Sequence, residues 1–490
     1  MSSYDKTMNN TIKGIAWTAV DKLSLQAINF FVFLVVARLL DPKAFGLVAI
    51  SAVFVAFFQL FIDQGMAQAI IQFEKIDKDH LNTAFWVGNV TGAVFAILGI
   101  LLSGPIALLF REPELQPIVA WLSLSFIFSA LSSTQQAILQ RNLEFKKLAL
   151  RSIVAKVSGG AVGVLFALSG AGVWSLVVQT LVYSLAEVVM LWSVSEWRPG
   201  VSFSFSYMNR LIKFGLNTMG VRLLEFLDLR FDDLIIGYFL GATILGYYTI
   251  AFRLLRLLSD FVVGIPGSVI FPTLSRLQHD QIEFKKTFSA IVKYTNLIIW
   301  PVFLGVLVLA DDFIFVLFGE QWTASIPVLR LLVLGGVVFC SLQFNGSIAW
   351  ALGHANYMFR LRLLITFTRV IAYLIAVHFG IIYVATAYSL VAFFVFSPLY
   401  INILKKFANF VSNKEIFGLY SKQIAASVFM SFMLVAEKEV FMYQIANIYL
   451  RLISLVATGF IFFLAAILVT WPELLLQAKT FMADLRIKVV

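Results

Sequence analysis

The chain has 490 residues, 60% hydrophobic and only 13% charged, with 37 Lys and Arg against 27 Asp and Glu. Soluble domains carry about a quarter charged residues, so this balance and a mean hydropathy of +0.91 exclude a soluble globular protein and require an integral membrane protein with many spans. The net charge of +10 is then a surplus of Lys and Arg in cytoplasmic loops rather than a nucleic-acid footprint, and a single cysteine, Cys340, excludes an intramolecular disulfide.

Met1 to Lys13 is polar and leads into an apolar stretch too long for a signal-peptide core and followed by no small-residue cleavage site. It is expected to stay in the mature protein. About fourteen stretches have the length a bilayer needs, roughly twenty residues each. The first six are 14–37, 44–70, 82–108, 117–140, 150–169 and 172–194. A connection follows that holds Trp197, Arg198, Pro199, Phe203 and Phe205 and is expected to lie on the cytoplasmic face. The next six are 212–238, 244–272, 287–310, 326–351, 358–378 and 381–404, and the last two are 418–436 and 445–470. The expected organisation is a six-helix lobe over 1–194, a cytoplasmic linker over 195–211, a second six-helix lobe over 212–404, and two additional helices with a tail over 405–490.

Alternate loops differ in charge. One set holds Lys75, Lys78, Arg141, Lys146, Lys147, Arg151, Arg198, Arg210, Lys213, Arg276, Lys285, Lys286, Arg360, Arg362, Lys405, Lys406 and Lys414. The other holds little beyond Arg38, Lys43, Arg111 and Lys438, with Asp311, Asp312 and Glu320 among its acids. The bias predicts both termini in the cytoplasm and the loop from Asp311 to Ser325 outside.

The stretch from Phe214 to Leu240 is apolar yet holds Arg222, Glu225, Asp228, Arg230, Asp232 and Asp233. Each charge at bilayer depth costs at least about 2.5–3.5 kcal/mol on insertion scales, so these side chains must face protein or a wet cavity while Leu223, Leu224, Leu227, Phe231, Leu234 and Ile235 take the other half of the helix. In the next span Arg253, Arg256, Asp260 and Gly264 share one face. A tight turn near Gly241 makes the two spans an antiparallel hairpin. Arg222 then comes level with Asp260, Asp228 with Arg256 and Asp232 with Arg253. Internal salt bridges and a hydrated transport cavity both fit this pattern, and intramembrane charge favours the cavity.

The segment 37–50 lies over 237–250 without a gap, with Leu40 on Leu240, Gly46 on Gly246 and Ile50 on Ile250; at the same offset Lys22 lies over Arg222. Lys22 and Asp63 stand about equally far from the Asp41–Pro42 turn, and Asp21 lies on an adjoining face. With an even number of spans in each half, the repeat must be parallel. The fold class is therefore an all-α integral membrane protein, two six-helix lobes in a parallel pseudo-repeat around a central cavity plus two C-terminal helices.

Other residues offer less. Lys156, Glu187 and Lys293 lie toward cytoplasmic ends, where snorkelling explains them. Arg369 is central in its span. "FGEQW" at 318–322 is expected to cap the helix that starts near Ile326, with Pro327 in its first turn, in preference to a direct sugar contact by Trp322, and the histidines have no metal-site spacing.

"ARLLDPKAFGLVAIS" at 37–51, "DQGMAQAIIQ" at 63–72, "LEFKKL" at 143–148, "WRPGVSFS" at 197–204 and "LFGEQWTASIPVLRLL" at 317–332 resemble, in order and spacing, the polysaccharide synthase branch of the multidrug/oligosaccharidyl-lipid/polysaccharide exporter superfamily. The likeness is to its Wzx-type flippases, including the colanic acid and teichuronic acid exporters. The resemblance implies a bacterial inner-membrane transporter, not an enzyme, that moves an undecaprenyl-pyrophosphate-linked oligosaccharide by alternating access. It implies an ion gradient, H+ or Na+, as driver and no cofactor. Membrane lipids and the polysaccharide polymerase and export machinery stand as candidate partners. The family's cationic cavity suits Lys22, Arg222, Arg253 and Arg256 as substrate-binding residues. Asp21, Asp63, Glu225, Asp228, Arg230, Asp232, Asp233 and Asp260 are the candidates for ion coupling or cavity lining, a density of acids that departs from the family's pattern. An ion-coupled drug exporter of the same superfamily is the alternative; a membrane enzyme or a transport-inactive scaffold fits mid-membrane charge less well.

Overall fold

The structure, a computed structural model, describes residues 3–62, 70–72, 76–410, 412–440 and 447–474. Every expected span overlaps a helix. Eleven helices among the described residues are long and apolar enough to cross a membrane, and Ser24–Leu39 adds a shorter apolar one. The chain is an all-helical, multi-pass membrane protein.

Backbone contacts divide it into two compact units, Met1–Gly246 and Tyr247–Val490. The first unit runs α1 (Ser3–Leu39), α2 (Pro42–Ile62), α3 (Lys78–Phe110), α4 (Leu115–Leu122), α5 (Ser125–Arg141), α6 (Phe145–Leu168), α7 (Trp174–Val194), α8 (Phe205–Leu240) and the start of α9 (Ala242–Arg276). The second continues α9 and adds α10 (Gln281–Val308), α11 (Ala310–Phe318), α12 (Ser325–Leu342), α13 (Asn345–Ala351), α14 (Ala355–Ala376), α15 (Ile381–Val391), α16 (Ser397–Phe407), α17 (Asn413–Phe417), α18 (Ser421–Val440) and α19 (Ile448–Thr470).

Local chemistry sets the helix ends. Asp77 caps α3 by accepting from the His80 amide at 2.9 Å, Asp280 caps α10 through the amides of Ile282 and Glu283, and Asn447 caps α19. Gly241, at φ 86°, is the single residue between α8 and α9, the tight turn the sequence predicts. At the other hairpin Asp41 accepts from the Ala44 amide at 2.9 Å, just before Pro42 opens α2.

In lipid, helices gain from close backbone approach rather than from hiding apolar surface, so small residues mark the crossings. On α6, Gly159 and Gly163 receive Gln179 and Tyr183 of α7. The tightest crossing joins the two repeated hairpins inside the first unit. A Cβ built on Gly46 would lie 1.7 Å from the Ala242 carbonyl oxygen, and one on Gly246 would lie 1.9 Å from that of Pro42. Phe57 and Phe226 extend the α2–α8 contact, their rings 5.6 Å apart.

The connection before α8 is pinned to the start of α3. Asn82 donates to Ser202 Oγ at 2.7 Å and accepts from the Gly200 amide at 2.8 Å, while Trp86 donates to the Gly200 carbonyl. His80 stacks on Tyr207 at 3.5 Å. In the second unit α18 and α19 pack beside α10 around Met430, Leu434, Leu455 and Phe463. Trp322 is fully buried edge-on to Tyr247, and buried Cys340 donates to Ser259 Oγ at 3.3 Å.

Candidate functional site

Among the described residues, the charges singled out in the sequence fall mainly in three places. The first is inside the first unit, where α1, α5, α6 and α7 meet. Arg151 of α6 is 8% exposed; it donates to Gln136 Oε1 at 2.9 Å and to Ser152 Oγ at 3.0 Å, and it faces Glu187 of α7 at 3.3 Å. Tyr183 donates its hydroxyl proton to Glu187 at 2.8 Å, and Lys156 sits 4.0 Å over the Tyr183 ring. Asp21 of α1 lies beside Ser152 in the field of Arg151. One of its carboxylate oxygens is buried without a hydrogen-bond partner. Two acids, two bases and a phenol thus share one polar centre.

This corrects two readings. Arg151 is not a loop base, since it lies in the second turn of α6 with its side chain turned into the unit. Glu187 and Lys156 do not snorkel; each has a partner within the unit, and a buried charge is tolerated when it is paired.

The second place is α8. Asp232 is 6% exposed and accepts from the Asp233 amide at 3.0 Å, and Arg230 reaches Asp233 on its own helix at 3.4 Å. Arg222, Asp228 and Asp233 are half-buried and Glu225 is exposed. The helix does not divide cleanly in two. Leu224, Phe226, Ile235 and Ile236 are buried on a helix that packs against α2 and α3, while Leu223 is exposed. So the apolar half is not uniformly turned to lipid, because α2 covers part of it. Lys22 of α1 is exposed. Asp63 lies outside the described residues.

The third is α9, where Arg253, Arg256, Asp260 and Gly264 are all exposed, as one shared face requires. Arg256 lies 5.4 Å from the Phe252 ring and one turn from Asp260. The level pairings of Arg222 with Asp260, Asp228 with Arg256 and Asp232 with Arg253 run from one unit into the other and stay a sequence expectation. Arg369 of α14 lies over the rings of Phe339 and Tyr388, at 5.1 and 5.9 Å. Among the described residues no cluster of His, Cys, Asp and Glu could hold a metal.

Charges inside apolar helices, in a chain built of long spans, suit the movement of a polar solute. The sequence model of the family described as polysaccharide biosynthesis protein matches residues 35–327. The chain belongs to this family. Among its relatives are the succinoglycan biosynthesis transport protein ExoT of Rhizobium meliloti, 28% identical over 66% of this chain and 65% of that protein, and the lipopolysaccharide biosynthesis protein WzxC of Escherichia coli, 27% identical over 73% of each. The teichuronic acid biosynthesis protein TuaB of Bacillus subtilis is 25% identical over 71% of this chain and 72% of its own length. The chain spans about 65% of the length of ExoT.

The fold is that of the lipid II flippase MurJ in an inward closed conformation, with a TM-score of 0.76 at 16% identity, covering 94% of this chain and 100% of that one. An inward-facing multidrug transporter of the MATE family in the MOP superfamily gives 0.60 at 14% identity, covering 81% and 100%. The chain is thus a multi-pass helical membrane protein of the polysaccharide biosynthesis family, with the fold seen in these two transporters.

Proposed function

We propose that this polysaccharide biosynthesis protein flips an undecaprenyl-pyrophosphate-linked oligosaccharide from the cytoplasmic to the outer leaflet of the bacterial inner membrane, by ion-coupled alternating access between two six-span lobes, with both termini cytoplasmic. The observation that carries the proposal is the row of ionisable residues on α8, six between Arg222 and Asp233 among Leu223, Leu224, Leu227, Phe231, Leu234 and Ile235. A pyrophosphate head group must cross about 30 Å of hydrocarbon, where bare charge meets a prohibitive solvation cost. Lys22, Arg222, Arg253 and Arg256 would supply positive charge along a wet path while the polyprenyl tail stays in lipid. Arginine offers a planar fork to phosphate oxygens, lysine a point charge.

The acids near these bases would reclaim them as substrate leaves, which is where a proton or sodium ion enters the cycle. Asp21, one of whose carboxylate oxygens is buried without a hydrogen-bond partner, is a candidate for that step. Deletion of the gene, followed by lipid extraction, tests the proposal. A polyprenyl-linked repeat unit should accumulate on the cytoplasmic side. Normal repeat-unit turnover with altered drug resistance would instead favour a drug exporter.

A further inference from the structure

At one end of the second unit, beside α10, a cavity of about 600 Å³ opens among Asp311, Arg330, Lys438, Glu439, Arg451 and Val435. These residues come from the start of α11, the second turn of α12, the last two turns of α18 and the first turn of α19. Four helix ends therefore bring six side chains to the level where the helices leave the bilayer, and the volume falls within the usual range for small-molecule sites, about 300–1,000 Å³.

The charges are of both signs and are held in place. Asp312 lies beneath the cavity with no side-chain exposure. Arg451 donates to it through Nε at 2.9 Å and through Nη2, and the Lys438 ammonium faces its other oxygen at 2.8 Å. Lys438 also reaches Asp311 at 3.0 Å, and Arg330 donates to Asp311 at 2.6 Å. A guanidinium has five N–H donors, so Arg330 and Arg451 keep donors in hand after these bonds. Asp311 is 42% exposed at its side chain and Glu439 is exposed on the lip, so acceptors face the cavity as well. Three bases balance Asp311, Asp312 and Glu439. A purely anionic ligand would find its donors but would also meet two carboxylates. A zwitterion with phosphate and ammonium a few bonds apart matches both signs.

The wall supplies the second argument. Val435 lines the cavity and is itself 43% exposed; Phe432 and Val428, one and two turns down α18, are 71% and 53% exposed. At this spacing the three form one apolar strip running from the cavity into hydrocarbon depth. An acyl chain lies naturally along such a strip. We propose that this cavity binds the head group of phosphatidylethanolamine, with the phosphate on Arg330 and Arg451, the ammonium on Glu439 and Asp311, and an acyl chain along Val435, Phe432 and Val428. The lipid would tie α18 and α19 to α11 and α12.

The full-length protein, purified in detergent and stripped of lipid, is titrated with dioleoyl phosphatidylethanolamine, phosphatidylglycerol or phosphatidylcholine, and bound lipid is read by native mass spectrometry. One charge-assisted hydrogen bond gained is worth about tenfold, so phosphatidylethanolamine should exceed each of the others by about that factor. Glu439→Gln leaves the buried bonds intact and should erase most of the preference over phosphatidylcholine, whose head group has no N–H. Arg330→Gln should weaken all three. Free phosphoethanolamine should compete poorly, because it lacks the acyl chain. Equal or tighter phosphatidylglycerol binding, equal binding of all three, or an unchanged preference in Glu439→Gln would overturn the proposal. So would displacement of bound lipid by a neutral oligosaccharide such as maltotriose.

Discussion

Gly46 and Gly246, two hundred positions apart, make the same contact in opposite directions: each seats against the carbonyl of the first residue of the other's helix, Ala242 for Gly46 and Pro42 for Gly246. The offset is the one at which the two hairpins align in sequence, so a repeat visible as a few matching letters is also a pseudo-symmetric crossing of two backbones. Neither position has room for a methyl group. Gly46→Ala and Gly246→Ala should each cost about 1–3 kcal/mol or more by overpacking, read as a lower thermal midpoint of the purified protein. An unchanged midpoint in both would mean that the crossing is looser than the backbone positions require.

The centre at Arg151 makes a prediction of its own. Glu187→Ala strands a guanidinium that is 10% exposed, and breaking a buried pair on one side costs about 3–5 kcal/mol. Arg151→Met with Glu187→Leu removes both charges and should recover much of that loss. Double-mutant stability equal to the sum of the two single losses would show that the residues do not act as a pair.

Asp77 predicts a pH effect outside the spans. The His80 amide and ring and the Tyr207 hydroxyl all stabilise its charged form, and they hold its carboxyl below the ordinary value of 3.8. A depressed carboxylate contributes stability in full above the unfolded value and loses it as pH falls through the folded one. Acid should therefore loosen the capped start of α3 at pH below 3.8, and Asp77→Asn should flatten that limb of the stability profile. A profile identical to that of the parent protein would remove the cap from the account.

Orientation can be measured at Glu320, which is exposed in the short turn between α11 and α12. In a background with Cys340→Ser, a cysteine placed there should react with an impermeant maleimide in intact spheroplasts. Reaction only after permeabilisation would invert the topology drawn from the loop charges.

Helices and turns were the legible part of this chain, because lipid imposes length and apolarity on every span. The Gly241 and Asp41–Pro42 turns could be placed to the residue, since glycine, aspartate and proline each mark a specific backbone need. The polar centre was harder. Arg151, Lys156 and Glu187 sit near span ends, where burial and snorkelling give the same sequence pattern. Only the contacts between α6 and α7 separate the two. The Asp311–Asp312 cluster escaped for another reason: its bases arrive from Arg330, Lys438 and Arg451, as far as 139 positions away, and no local spacing announces them.

The central claim is that basic side chains within the spans carry the head group, and Arg222 with Lys22 tests it most directly. Their variants are placed in a strain lacking the chromosomal gene, and finished surface polysaccharide is measured beside protein abundance. Arg222→Gln should abolish export at normal abundance, Arg222→Lys should retain part of it, and Lys22→Arg should be tolerated better than Lys22→Gln. Lys286→Gln, at a side chain 76% exposed, serves as the silent control. Full export by well-expressed Arg222→Gln and Lys22→Gln would take both residues out of the substrate path and contradict the account.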